Sequence, residues 1–274
     1  MGLHFPSLLF LLSGLCPLFL SQQDVPAASG QVEDAPHQPI VFPERPVSWQ
    51  KLLPNLARDQ KDIWLFPISR AVEHHLKPAL VLTAITAGTI AAVDVPSGEY
   101  FQRTRSFDGF NRAFSGKNTS VVMFAAPSVF YGISLLRKDS YAQNTFLLAG
   151  EAVMSAEVLT SIMKDVDRRM RPIEVPLKGD LSATWFRSRS GSVMRGIGSF
   201  PSGHTISAFS LATVFADRHP NPRWHAWVAY GLAEAVVFSR VSLQSHHPSD
   251  VFVLTKNDQH RERDLARAND CIGL

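Results

Sequence analysis

Three stretches carry residues whose types and spacing could do chemistry. The first is Lys164-Asp-Val-Asp-Arg-Arg-Met-Arg171-Pro172. The second is Ser199-Phe-Pro201-Ser202-Gly203-His204-Thr205. The third is Ser239-Arg240, followed by His246-His247-Pro-Ser-Asp250. A phosphoryl group spreads its charge over several oxygens, so Lys164, Arg171 and Arg240 would suit it if they converged. Arg offers a planar fork and Lys a point charge. Lys164 and Arg171 are seven positions apart, two helical turns, so on a continuing helix they share a face. Ser202 reads as a helix N-cap and Gly203 as a place where the backbone comes close to something. A helix N-terminus seats anions, and His204 in its first turn could give a bound anion a proton. His246 and Asp250 are four apart, the spacing at which a carboxylate reaches one ring nitrogen and leaves the other as a nucleophile.

Each stretch alone has a plainer reading. A Ser-Gly-His helix start is most often only a cap with an exposed His. Arg168 and Arg169 read as a solvated basic rim. His247 reads as a flanking or substrate-facing residue, and His74 and His75 as a structural surface pair. Glu151 and Glu157 read as partners for core or site cations.

Taken in order, the stretches spell K-x6-R-P, then P-S-G-H, then S-R-x5-H-x3-D. This set resembles the type 2 phosphatidic acid phosphatase family, which shares its site with bacterial non-specific acid phosphatases and vanadium haloperoxidases. The resemblance covers residues 120–253. It implies that His246 attacks phosphorus, that Asp250 orients His246, and that His204 protonates the leaving oxygen and later activates water. Lys164, Arg171 and Arg240 would bind phosphate, with the backbone N–H groups of Ser202 and Gly203 holding an equatorial oxygen. It implies no metal and no cofactor, with vanadate an inhibitor or, in a haloperoxidase, a prosthetic group. Two departures stand out. Arg168 occupies a position where many members carry Gly. After Asp250 members continue with an apolar, Gly-containing helix, whereas here Val251–Leu254 gives way to a charged run.

The elements that must position these residues are helical. The chain has 274 residues, 45% hydrophobic and 19% charged, which suits one domain with extensions. Apolar residues recur at helical spacing over 78–93, 121–136, 145–163, 205–216 and 224–238, and a short helical region is expected over 49–76 with Trp64 and Phe66 as anchors. Gly and Pro at 96–98 and 220–222 read as breaks between helices. The expected class is mostly α, a bundle of the phosphatidic acid phosphatase type 2/haloperoxidase kind, lacking its final core helix. Residues 1–27 read as a signal peptide, 28–60 as a flexible lead-in, 61–254 as the domain and 255–274 as an atypical charged tail. Without its last helix the domain would be marginal, sticky or partner-dependent, and the change after Leu254 has the character of a shifted reading frame or a truncation.

A net charge of +3 is too mild and dispersed for nucleic acid, and Cys16 and Cys271 form no disulfide framework. Most apolar runs are about 16 residues or fewer, short of the roughly 20 that span a bilayer, and Glu151 and Glu157 interrupt the longest. The expected location is exported, periplasmic or otherwise extracytoplasmic, as a soluble or surface-associated bundle. The expected activity is a metal-independent phosphatase of phosphate monoesters, lipid or small and soluble, acting through a phosphohistidine. Two alternatives remain: a vanadate-dependent haloperoxidase, and a catalytically impaired phosphate- or phospholipid-binding homologue.

Overall fold

Polar caps, rather than the apolar repeat, set where the helices that begin at Gly116, Ser140 and Gly203 start. The computed structural model describes residues 47–72, 76–187, 197–219 and 221–251. All lie within one compact unit, Val47–Arg261, of the two into which the chain divides. The described residues form eight α-helices and no strand. They are α1 Leu52–Val72, α2 Leu76–Thr89, α3 Val95–Arg103, α4 Asp108–Ala113, α5 Gly116–Arg137, α6 Ser140–Asp167, α7 Gly203–Arg218 and α8 Trp224–Ser242. A π turn, Ile90–Asp94, joins α2 to α3. Ser115 caps α5 by accepting from the Asn118 amide, and Asp139 caps α6 by accepting from the Ala142 amide. Periodicity therefore placed the middles of α5 and α6 and missed their first turns.

Helices α5 to α8 pack as sequential antiparallel neighbours. Near one end of the bundle, Arg218 at the end of α7 donates to Thr145 Oγ1 near the start of α6. At the other end, the start of α7 meets the C-terminal half of α6. There a Cβ on Gly203 would lie 3.3 Å from Thr160 Oγ1, so Gly fits the close approach. Val153 and Ala156 of α6, Ile206 and Phe209 of α7, and Ala233 and Val236 of α8 form the buried seam. Burying a side chain such as Phe209 contributes roughly 1.5–3 kcal/mol. Phe101, Phe107 and Phe110 dock α3, α4 and their junction on Phe238 of α8, with ring centroids 5.0–6.1 Å apart.

Several expectations change. Residues 52–60, assigned both to the flexible lead-in and to the helical region expected over 49–76, are the first turns of α1. Trp64, expected as an anchor, is exposed, and the Phe66 side chain lies outside the described residues. Residues 96–98 are no break. The π turn leads straight into α3 with Pro96 in its first turn, where a missing N–H costs little. Helix α5 has 22 residues, and only its ends, Lys117 and Arg137, are charged. Helices α5 and α6 are therefore long and apolar enough to cross a membrane, which removes run length as an argument against it. On α5 a stripe of Thr119, Met123, Pro127 and Ser134 is buried, while Val121, Val122, Phe124, Val129, Phe130 and Leu136 are exposed. Trp224, Trp227 and Leu232 of α8 are also exposed. The signal peptide, His74, His75, the tail at 255–274 and the missing final helix lie outside the described residues.

Helix α6 ends at Asp167, and its C-cap Arg168 has φ 42°, the left-handed region. A residue with a Cβ is strained there by about 1 kcal/mol and glycine is not. The exposed Arg168 thus occupies a position suited to Gly. Arg168→Gly is expected to raise the denaturant midpoint, by about 0.5–1 kcal/mol of stability, with no change in the slope of the transition.

Candidate active site

The end of α6, the start of α7 and the segment after α8 come together at one end of the bundle. Lys164 sits in the last turn of α6. Arg171 follows in extended backbone, with φ −75° and ψ 149°, and does not continue the helix. The two cations converge because the chain turns at Arg168, and not because they share a helical face. Arg240, in the last turn of α8, is almost fully buried. Its guanidinium donates to the Phe114 carbonyl, and its Nη2 lies 3.4 Å from Thr119 Oγ1.

His246 is buried, and its Nδ1 lies 2.5 Å from the Ser199 carbonyl oxygen. A carbonyl only accepts, so Nδ1 carries the proton and Nε2 keeps its lone pair. Nε2 has no hydrogen bond among the described residues. The expected partner, Asp250, is 3.9 Å from Nδ1, beyond hydrogen-bond reach. Its carboxylate instead accepts from the Arg169 guanidinium, from Ser199 Oγ at 2.5 Å and from the His247 amide at 2.7 Å. Asp250 therefore acts on His246 indirectly, by holding Ser199.

Three further assignments are corrected. Arg169 is no solvated rim: it is 1% exposed and bonded to Asp94, Asp250, Ser249 and Thr184. The ring of Trp185 covers it, 4.4 Å from the guanidinium carbon. His247 faces no substrate space, being fully buried with Nε2 3.3 Å from the Met170 carbonyl. The Ser202 amide is taken by the Asp250 carbonyl at 3.2 Å, so it is not available to a ligand. The Ser202 hydroxyl caps α7 by accepting from Thr205. The amides of Gly203 and His204 have no partner among the described residues and remain for an anion.

Residues 145–253 match the model of the PAP2 superfamily. This segment belongs to the PAP2 superfamily. No curated protein and no solved structure matches the chain. Members are phosphatases or related enzymes, and the helical fold is consistent with that membership.

The PAP2 segment's cations repel one another. Burial lowers the Lys164 pKa, and Arg171 lowers it further. Burial, then Arg171, brings Arg240 down to about 10. Burial pushes His246 well below its ordinary value, with Lys164 and Arg171 adding to the effect. His204 falls to about 4, mainly through burial and then Arg240. Arg171 Nε is buried without a hydrogen-bond partner among the described residues. Glu157 and Asp250 offset the Lys164 shift only after these larger effects. Such a cluster favours an anion, which would relieve the repulsion.

Residues outside the PAP2 segment complete the site. His204 Nε2 lies 2.9 Å from Ser120 Oγ and 3.1 Å from the Gly116 carbonyl, both near the start of α5. A Cβ on Gly116 would sit 3.3 Å from Arg240 Nη1. The motifs do not contain these positions; Ser115-Gly116 before an apolar run was the available signal of a helix start. Glu157 accepts from Ser207 and lies close enough to Lys164 to raise its pKa, and Glu151 accepts from Asn55.

His204 also makes stability depend on pH. Its folded pKa of about 4 lies below the ordinary 6.5, so between these values the unfolded chain binds more protons. Its contribution is complete above pH 6.5 and is lost as pH falls toward 4. Against His204→Gln, the wild-type chain is expected to lose on the order of 2 kcal/mol more over that window, read from denaturation midpoints at stepped pH.

Proposed function

We propose that the protein is a metal-independent phosphatase that hydrolyses phosphate monoesters through a phosphohistidine on His246. The observation that carries this reading is the set of mutually repelling cations, Lys164, Arg171 and Arg240, around a neutral His246 whose Nδ1 is tied to Ser199. Cationic side chains then provide the charge neutralisation that Mg²⁺ gives in other phosphoryl transfers.

His246 Nε2 forms a bond to phosphorus as the bond from phosphorus to the leaving oxygen breaks. The leaving oxygen takes a proton from His204. The bound phosphate offsets the burial and the Arg240 charge that keep His204 neutral in the free protein. In the second step His204 takes a proton from water, the water oxygen bonds to phosphorus, and the P–N bond breaks to release phosphate. With Nε2–H given to the Gly116 carbonyl, Nδ1 is the nitrogen that exchanges this proton.

The exposed apolar faces of α5 and α8 support a membrane-associated setting, and with it a phosphorylated amphiphile as substrate. Export, expected from residues 1–27, completes the reading.

His246→Ala is expected to abolish turnover and the acid-labile phosphoenzyme. His204→Ala is expected to slow alkyl phosphates by 10²-fold or more and nitrophenyl phosphate far less, because a good leaving group needs no proton. Equal losses for both esters would count against His204 as the acid.

Activity should persist in chelator, and vanadate should inhibit as a mimic of five-coordinate phosphorus. A panel of phosphatidic acid, lipid pyrophosphates and soluble esters, compared by kcat/KM, would identify the substrate class. Loss in chelator with recovery on Mg²⁺ would sink the mechanism. Peroxide-dependent bromide oxidation with vanadate would favour a haloperoxidase. Phosphate binding without turnover would favour an impaired homologue.

A further inference from the structure

A buried carboxylate outside the PAP2 segment is tied to the nucleophile. Asp94 ends the π turn between α2 and α3 and is 1% exposed. Its Oδ2 accepts from Arg169 Nη2 and from Ser249 Oγ, both at 2.6 Å, and its Oδ1 accepts from the Ser249 amide at 2.9 Å. Arg169 Nη1 donates to Ser249 Oγ at 2.8 Å and to Asp250. Asp250 holds Ser199 Oγ, and the Ser199 carbonyl accepts from His246 Nδ1. The Ser199 amide also donates to the Arg169 carbonyl at 2.7 Å. From Asp94, two routes lead toward His246: through Arg169 to Ser199, and through the Ser249 backbone three residues after the ring.

We propose that Asp94 is a positioning residue for His246, fixing its Nδ1–H on the Ser199 carbonyl and so aiming Nε2. A π turn presents a side chain at an angle that regular helix would not, and such turns recur at functional sites. Asp94 touches none of the phosphate-binding cations, so its loss should spare anion binding and affect the attack. The kinetic part rests on His246 being the nucleophile. The structural part does not.

Asp94→Asn keeps the shape but sets an amide donor or a weaker acceptor against the Arg169 guanidinium. The test uses full-length protein labelled with ¹⁵N-histidine. The His246 Nδ1–H resonance is assigned by its absence in His246→Ala. In folded Asp94→Asn, confirmed by circular dichroism, that resonance is expected to shift or broaden. In the same variant, kcat for nitrophenyl phosphate should fall about 10²-fold, while the Kd for vanadate stays within about threefold. Ser249→Ala, a milder change in the same network, should move both readouts in the same direction. The double variant should lose less than the product of the two single losses.

An unchanged resonance and kcat in either folded variant would overturn the proposal. So would a loss of vanadate affinity that matches the loss of kcat, because that marks general collapse of the site. If the resonance shifts but wild-type protein shows no turnover, the positioning role stands and the phosphatase reading fails.

Discussion

Arg169 is 1% exposed, and its guanidinium is paired with two carboxylates, Asp94 and Asp250. An isolated buried charge costs several kcal/mol, and removing one partner of a buried pair costs about 3–5 kcal/mol. The triad therefore constrains every segment it touches: the π turn, the end of α6 and the helical start at 248–251. Trp185 and Thr184 close the remaining side. Such a network adds little net stability over an apolar core, but it permits few alternative arrangements. Here it registers Ser199, and with it the ring of His246.

The triad also explains why the neighbouring cations remain available. Asp250 is committed to Arg169, Ser199 and the His247 amide, so it does not neutralise His246 or pair with Lys164. Lys164, Arg171 and Arg240 then face one another with their repulsion only partly offset. Arg169 takes the carboxylates, and Lys164, Arg171 and the buried Arg240 are left for the ligand. Stabilisation of developing phosphoryl charge needs such preorganised groups, which do not have to reorganise during reaction.

The sequence was most legible where chemistry resides in side chains at fixed spacing. Lys164, Arg171, His204, Arg240 and His246 all reach the same end of the bundle. It was less legible where a backbone atom does the work. The acceptor for His246 Nδ1 is a carbonyl, which has no residue type, so spacing alone points to the i+4 carboxylate instead. Asp94 was missed because it lies 75 positions from Arg169, in a stretch where Pro96 and Gly98 suggested a break. Arg169 was misread because a run of arginines usually faces water, and only the fold supplies two carboxylates to bury one of them. Helix centres followed the apolar repeat, and helix starts followed Ser115 and Asp139, whose caps decide the first turn.

Helix α5 links the site to the outside of the bundle. Its N-terminal end holds His204 through Gly116 and Ser120 and lies beside Arg240, so its position sets where the proton donor and one phosphate-binding cation stand. Yet it buries only a narrow stripe and leaves a broad apolar face uncovered. At roughly 25 cal/mol per Å², covering even a few hundred Å² of that face amounts to several kcal/mol, comparable with the stability of a whole domain. The buried triad fixes His246 from within, through groups that solvent does not reach. His204 is fixed from a helix whose outer face is apolar and exposed. The two halves of the acid–nucleophile pair therefore differ in what determines their geometry, and the acid is the half more sensitive to the medium.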